Sequence, residues 1–190
     1  MKKFELTDEF IIDDFGHKLF RIKALAYFGT IRAGELGGFV EKEENLSSDG
    51  DAWVYGNARV YGNAWVYGDA CVYGDACVYG NAWVYGNACV SGNARVSGNA
   101  CVSGNAWVSG DADYAVVEGF GRYFRATTFF RCKDKILRVQ CGCFYGDLAK
   151  FREIVKKTHG DSKYAKEYLA IADLMELHFS DEEENQEADK

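Results

Sequence analysis

A six-residue pattern of alternating apolar and variable positions fills the middle of the chain. From Ala52 to Asp111 the sequence reads as ten consecutive copies of Ala-x-Val-x-Gly-Asn/Asp, with no shift in spacing. Ala and Val are two residues apart, so in an extended segment both side chains point to the same side. Gly followed by Asn or Asp predicts a corner, because these residues tolerate positive φ. A unit this small cannot bury an apolar face alone, so the pattern predicts coils stacked on one another.

The repeated Ala, Val and Gly-Asn/Asp positions resemble the hexapeptide repeat of left-handed parallel β-helices. The resemblance implies three hexads to each triangular coil, so that about every eighteenth residue stacks on itself, roughly 4.8 Å away. Val and Ala then fill the interior, and the positions between them form outward rows. These rows are Trp53, Cys71, Cys89 and Trp107 on one face; Arg59, Cys77 and Arg95 on the second; and Trp65, Trp83 and Cys101 on the third.

The segments on either side of the repeat predict two different caps. Residues 1–49 are predicted to be an N-terminal β cap, since a solenoid end exposes backbone and interior that need a lid. Residues 50–113 form the β-helix, and residues 114–179 are predicted to be a C-terminal α+β domain. The acidic run at 180–190 is predicted to be a disordered tail.

Short patterns inside the caps predict their elements. Apolar segments around a polar turn at 13–16 and around a second turn at 133–135 predict two β-hairpins. Helical spacing follows at 148–155, with Asp147 as a plausible N-cap, and at about 162–178, with Asp161 or Ser162 as cap. The fold class is therefore mainly β, a parallel β-helix with an N-terminal β cap and a C-terminal hairpin plus two helices.

Composition narrows the class of protein. The net charge of -7 argues against a generic nucleic-acid coat, yet residues 113–179 hold 12 Lys/Arg against 9 Asp/Glu, a local basic surplus. No apolar run is long enough for a signal peptide or a membrane span, so a cytoplasmic location is expected, which would be the host cytoplasm for a phage protein. Seven Cys, an odd number, make a disulfide framework unexpected, and we expect oxidation of Cys71 with Cys89 to be an artefact.

Catalysis and metal binding find little support in the sequence. Acyltransferases on this solenoid place a catalytic His in or beside the coils, whereas His17, His159 and His178 all lie outside the repeat. A closed zinc site needs four ligands, and the predicted hairpin does not bring the sulfurs of Cys132, Cys141 and Cys143 together. We therefore predict no catalytic residue, no metal and no cofactor.

Two features indicate binding. The Tyr/Trp surface of the early coils is more apolar than a monomer usually leaves exposed, which predicts either a homo-oligomer, namely a trimer, or stacking on a planar ligand. A basic and aromatic cluster after the repeat predicts an anionic partner, since Arg pairs with phosphate and stacks on rings. The alternative is that the cluster binds no ligand: side chains alternate along the hairpin strands, so that Phe points inward and Arg points into water. The surface residues are Trp53, Tyr55, Tyr61, Trp65, Tyr67, Tyr73, Trp83 and Tyr85, and the anion-binding candidates are Arg122, Tyr123, Arg125, Arg131, Lys133 and Arg138.

The ends of the chain resemble a second group of proteins. Leu36-Gly37-Gly38-Phe39-Val40-Glu41 and the later Cys-Gly-Cys-Phe-Tyr-Gly at 141–146 are similar to small hexapeptide-repeat proteins of phages and prophages. This resemblance implies a viral protein with an anti-defence role: it would sequester a phosphate-bearing signal such as a nucleotide, or block a host defence protein. The alternatives are an acyl- or acetyltransferase and a purely structural scaffold.

Overall fold

The computed structural model describes residues 2–180, and the predicted acidic tail from 181 onwards lies outside them. Three strands come first, then ten two-residue strands, then four strands and two helices. The first three strands are β1 (Phe4–Ile12), β2 (Lys18–Ala24) and β3 (Leu36–Val40). The next ten are β4 (Trp53–Val54), β5 (Arg59–Val60), β6 (Trp65–Val66), β7 (Cys71–Val72), β8 (Cys77–Val78), β9 (Trp83–Val84), β10 (Cys89–Val90), β11 (Arg95–Val96), β12 (Cys101–Val102) and β13 (Trp107–Val108). The last six elements are β14 (Tyr114–Val117), β15 (Thr127–Arg131), β16 (Leu137–Cys141), β17 (Phe144–Asp147), α1 (Leu148–His159) and α2 (Lys163–His178).

The ten short strands form a β-solenoid with three hexads per coil, as predicted. Strands three apart in sequence pair in parallel and in register, and Trp53 lies against Cys71, which in turn lies against Cys89. The three faces are β4-β7-β10-β13, β5-β8-β11 and β6-β9-β12, the second of which continues into the N-terminal strands. The predicted outward rows are therefore confirmed.

The interior of the solenoid consists of the Val and Ala positions of the repeat. The Val side chains from Val54 to Val108 are fully buried, and the Ala side chains from Ala52 to Ala106 are buried to within one per cent. Burial of each Val contributes on the order of 1.5–3 kcal/mol relative to exposure. The small Ala lets the wall turn, and the β-branched Val packs in the flat part of each face.

The N-terminal cap is a hairpin that continues into the solenoid. β1 and β2 pair antiparallel, as predicted, with Phe10 opposite Phe20, and β2 pairs antiparallel with β3. β3 then pairs in parallel with β5, so that Val40 lies against Val60. A bridge between Leu46 and Val66 follows. The last part of the predicted cap is thus an irregular coil that stacks on the first regular one.

The two ends of the solenoid expose different backbone groups. Within each hexad the amides of the two variable positions donate to the following coil, as Trp53 N does to the carbonyl of Ala70 at 3.0 Å and Tyr55 N to that of Val72 at 2.8 Å. Without its caps, the solenoid would therefore have unpaired Ala and Val carbonyls at its first coil and unpaired amides of the variable positions at its last. The N-terminal cap supplies donors: Phe39 N reaches the carbonyl of Ala58 at 2.9 Å, and Lys3 Nζ reaches that of Ala52 at 2.9 Å.

The C-terminal cap supplies acceptors to the last coil. Thr128 Oγ1 accepts from the amide of Cys101 at 2.9 Å, and Asp111 Oδ1 accepts from that of Arg95 at 2.7 Å. Asp111 is the last residue of the tenth hexad and begins a short 3-10 turn, whereas Thr128 lies in the first strand of the predicted hairpin. Each end of the solenoid thus gains partners for backbone groups that would otherwise be unpaired.

The C-terminal part packs an antiparallel sheet between the solenoid and two helices. The sheet order is β14-β15-β16-β17. Phe130 belongs to the core shared with the solenoid, whereas its neighbour Phe129 belongs to the core shared with the helices. Asp147 and Ser162 cap α1 and α2 through their side chains, as predicted. Between residues 2 and 180, no helix combines the length and the apolar composition that crossing a membrane requires.

Candidate functional site: a cleft with two arginines at its edge

A cleft of about 210 Å³ opens between the C-terminal sheet and the two helices. Its wall is formed by the loop that joins β14 to β15, by the ends of β16 and β17, and by facing sides of α1 and α2. The lining is mainly apolar, with charged groups on the loop side. The lining residues are Arg122, Tyr123, Arg125, Cys141, Phe144, Phe151, Ile154, Val155, Thr158, His159 and Tyr168.

Two guanidinium groups lie over one aromatic ring at the edge of this cleft. The guanidinium carbon of Arg122 lies 5.5 Å from the centroid of the Tyr123 ring, and that of Arg125 lies 5.1 Å away. The Tyr123 side chain is 62% exposed, and Arg122 and Arg125 are exposed as well. The arrangement concentrates positive charge around an accessible aromatic ring.

The loop that carries these residues has an unusual backbone. Phe124, between Tyr123 and Arg125, has φ 52 and lies in the left-handed region that residues with a Cβ seldom adopt. Its side chain is 70% exposed, so burial does not account for this conformation. Backbone strain of this kind occurs preferentially at binding sites.

The floor of the cleft is aromatic and closely packed. The rings of Phe151 and Tyr168 meet edge to face at 5.8 Å, and His159 lies against Tyr168 at 5.8 Å. Burial raises the pKa of Tyr168 to about 12, with Cys141 adding to the rise and Arg125 opposing it. The tyrosine is thus a neutral phenol at physiological pH, and the cleft pairs an aromatic floor with a cationic edge.

The other three predicted anion-binding residues lie outside this cleft. Arg131 donates to the backbone carbonyl of Phe179 at 3.0 Å and lies 3.8 Å from Asp113. Lys133 is exposed beside Trp107, its Nζ 5.8 Å from the ring centroid. Both line a second cleft of about 450 Å³ next to the last coil.

Arg138 is held by an acidic residue of its own hairpin. Both terminal nitrogens donate to the carboxylate of Asp134, each at 2.7 Å. The same contact lowers the pKa of Asp134 to about 2. Arg138 therefore already has a bidentate anionic partner, and the predicted set of six divides into three places.

Two residues of the predicted aromatic surface are covered by the N-terminal cap. Trp53 is fully buried beneath Phe4 and Phe28, and Tyr61 is 8% exposed beneath His17, whose ring lies 5.0 Å away. The prediction of an exposed Trp53 is wrong because the hairpin folds over the outward rows of the first coil.

A smaller aromatic patch remains open on the third face. Trp65 and Trp83 are 38% and 45% exposed. Tyr67 stacks on Trp65 at 4.2 Å and on Tyr85 at 4.8 Å. We call these four residues the aromatic patch; Tyr55 and Tyr73, on another face, are partly buried.

The residues that form the floor of the cleft were not predicted from the sequence. Phe144, Phe151, His159 and Tyr168 come from three elements that are distant from Arg122 along the chain. The only signal for them was the apolar spacing of α1 and α2, which is equally typical of an ordinary core. In the described part of the chain, no three His, Cys, Asp or Glu side chains converge as a metal site would require.

The comparison with protein families identifies the repeat and leaves the cleft unassigned. The model described as YdcK beta solenoid repeat matches residues 52–68, 70–86 and 94–110. No curated protein matches the chain. The match falls entirely within the coils and supports a repeat β-helix protein, whose solenoid is similar to the YdcK beta solenoid repeat.

Proposed function

We propose that this chain is a non-catalytic binding protein whose ligand is a small anion with a planar or apolar group. The observation that supports the proposal is the pair of guanidiniums, on Arg122 and Arg125, at the edge of a cleft floored by aromatic rings. A phosphate would pair with the arginines, and a ring would enter the cleft or stack on Tyr123. A nucleotide has both parts.

The size of the cleft limits how the ligand sits. At about 210 Å³ it is smaller than the roughly 300–1,000 Å³ typical of pockets that enclose a drug-sized ligand. A base or a similar ring fits, whereas a sugar and phosphate would remain outside. That position is where Arg122 and Arg125 lie.

The biological role that we attach to this binding is sequestration. The resemblance of both ends of the chain to small phage proteins favours a nucleotide immune signal as ligand, held in the host cytoplasm and released unchanged. A host defence protein is the other partner that this resemblance favours. Under the sequestration proposal, the ligand recovered after heat denaturation has the mass of the ligand that was added.

The test is titration calorimetry of the protein with a panel of nucleoside monophosphates, triphosphates and cyclic nucleotides. We expect one of them to bind, and Arg122→Ala and Arg125→Ala each to weaken binding by about tenfold or more, as loss of a charged contact does. Arg59→Ala, which removes a half-buried arginine of the coils, is the matched control and leaves affinity unchanged. Failure of the whole panel to bind, or equal losses in all three variants, would reject the proposal.

We further propose that the chain forms a homotrimer, and the aromatic patch favours this assembly. Two exposed indoles beside two stacked phenols form an apolar surface that a second copy would cover. Native mass measurement of the wild type should give three subunits. Trp65→Ser with Trp83→Ser should give one, while Arg95→Ser on another face should not change the number.

A further inference from the structure

Two cysteines face each other on neighbouring coils. Cys71 and Cys89 are paired in register on the face formed by β4, β7, β10 and β13, and their sulfur atoms are 2.6 Å apart. Both side chains are partly exposed. The other two cysteines of the repeat have no such partner: Cys77 lies between Arg59 and Arg95, and Cys101 lies against Trp83.

The spacing of the coils suits a bond between these sulfurs. Neighbouring strands lie about 4.7–4.9 Å apart, which is inside the range of about 4.4–6.8 Å that separates the Cα atoms of a disulfide. Because the register places both thiols at the same position on their coils, the bond forms without a shift of one strand along the other. The contact is therefore ready for oxidation in the folded chain.

One of the two sulfurs opens onto a cleft of its own. Cys89 lines a cavity of about 540 Å³ together with Asn87, Asn105, Trp107, Lys133 and Asp134. The ammonium of Lys133 attracts a carboxylate, and the indole of Trp107 supplies an apolar wall. A small acidic molecule would thus be held beside Cys89 and not beside Cys71, which lies on the next coil towards the buried Trp53.

The charges around the pair distinguish the two thiols. A hydrogen bond from Cys71 lowers the pKa of Cys89 to about 7, and the positive charge of Lys133 acts in the same direction. The pKa of Cys71 is raised, first because it shares its proton with Cys89 and then by burial. Asp134 lines the same cleft as Cys89, and the phenol of Tyr55 interacts with both thiols. Because Cys89 and not Cys71 lines the cleft beside Lys133, Cys89 is the nucleophile and Cys71 the thiol that resolves the intermediate.

Although the sequence led us to expect that oxidation of this pair is an artefact, the sulfur contact and the cleft at Cys89 favour a role for it. We propose that Cys71 and Cys89 form a thiol–disulfide exchange site that accepts a small, carboxylate-bearing disulfide. The Cys89 thiolate attacks one sulfur of that disulfide, its S–S bond breaks, and one thiolate leaves. Cys71 then gives its proton to solvent and attacks Sγ of Cys89, which breaks the mixed disulfide and releases the second thiolate. The protein loses two hydrogens and becomes oxidised across two coils, and the small disulfide is reduced to two thiols.

Glutathione disulfide is the probe, applied to the folded full-length protein before the remaining thiols are alkylated. Intact mass should show the loss of two hydrogens and no retained glutathione, and proteolysis of the oxidised wild type should yield one linked peptide pair containing Cys71 and Cys89. Cys71→Ser should accumulate a stable glutathione adduct on Cys89. Cys89→Ser should react at least about tenfold more slowly, since its attacking thiolate is gone.

The matched controls are Cys77→Ser and Cys101→Ser, which change the same position of other hexads and should oxidise as the wild type does. A linked pair other than Cys71 with Cys89, or equal reactivity of all the repeat cysteines, overturns the proposal. So does oxidation whose rate does not depend on the concentration of glutathione disulfide. If a serine variant does not fold, peptide mapping of the oxidised wild type still shows whether Cys71 is linked to Cys89.

Discussion

The side-chain amide of Asn45 donates to the backbone carbonyl of Ala64 across 2.8 Å, at a position with no exposure to solvent. The same nitrogen lies 3.1 Å from the carbonyl of Gly62, and its Oδ1 accepts from the amide of Lys42 at 3.0 Å. One asparagine thus closes a corner of the first coil, where no earlier regular coil exists to supply donors.

Replacement of Asn45 by alanine should destabilise the protein by about 2 kcal/mol, because it leaves buried carbonyls without a donor. Urea unfolding followed by circular dichroism measures the change. Asn57→Ala is the control, since the Asn57 side chain is exposed and its amide donates to the side chain of Asp75. It should change stability by less than about 0.5 kcal/mol. Equal effects of the two changes would contradict the role given to Asn45.

The stability contributed by Lys3 should depend on pH. Burial lowers the pKa of Lys3 from 10.5 to about 8, although Asp51, Asp49 and Asp69 oppose the shift. Between these values the unfolded chain binds more protons than the folded one, so stability rises with pH. The titration of Lys3 therefore costs stability below pH 8, and this cost disappears above pH 10.5.

The measurement is the free energy of unfolding of the wild type and of Lys3→Met across this pH range. The wild type should gain about 1–2 kcal/mol relative to the variant on going from the lower to the higher pH. Lys2→Met, which removes an exposed ion pair with Glu43, serves as control and should show no such gain. A difference that stays constant with pH would show that Lys3 keeps its ordinary pKa.

Glycines at coil corners should differ in their tolerance of alanine. Gly68 has φ +72, and a Cβ there would lie 3.0 Å from the amide nitrogen of Gly86 in the next coil. Gly56 has φ +57, and a Cβ there would meet nothing within 4 Å. Gly56→Ala should therefore cost about 1 kcal/mol for the left-handed backbone alone, and Gly68→Ala at least about 1 kcal/mol more. Thermal unfolding compares them, and a smaller loss for Gly68→Ala would be inconsistent with close stacking of the corners.

The hydroxyl of Thr128 should stabilise the junction between the last coil and the C-terminal sheet. Thr128→Val keeps the shape of the side chain and removes the acceptor for the amide of Cys101, at a cost of about 1–3 kcal/mol. Hydrogen exchange of that amide should become faster. Thr127→Val is the control, because within residues 2–180 the hydroxyl of Thr127 bonds only to the sulfur of Cys141, and it should leave the exchange unchanged.

The solenoid could be predicted because the six-residue repeat has no shift in spacing. Each hexad can therefore pair with the hexad eighteen residues later in only one register. Once Trp53 is placed over Cys71, every other pair follows. The irregular first coil was predicted only as a cap, since Val40 and Leu46 lie twenty residues before Val60 and Val66, two more than the regular repeat. Burial of Trp53 depends on the path of a hairpin that the repeat does not encode.

The candidate site was only half predictable. Arg122, Tyr123 and Arg125 stand together in the sequence, so their local chemistry was visible. The bidentate pairing of Arg138 with Asp134 depends on the geometry of a turn in which Lys135 has φ 63. The aromatic floor required the packing of two helices on a sheet, which residue spacing alone does not specify.

The N-terminal cap supplies hydrogen-bond donors to the first coil, and the C-terminal end supplies acceptors to the last coil. Neither set of contacts depends on the number of coils between them. Duplication of any eighteen consecutive residues of the repeat would add one coil and lengthen the solenoid by about 4.8 Å. Each cap would still contact the same backbone groups. The number of coils can therefore change during evolution or by engineering, whereas each terminal segment must keep the hydrogen-bonding groups that its own end requires.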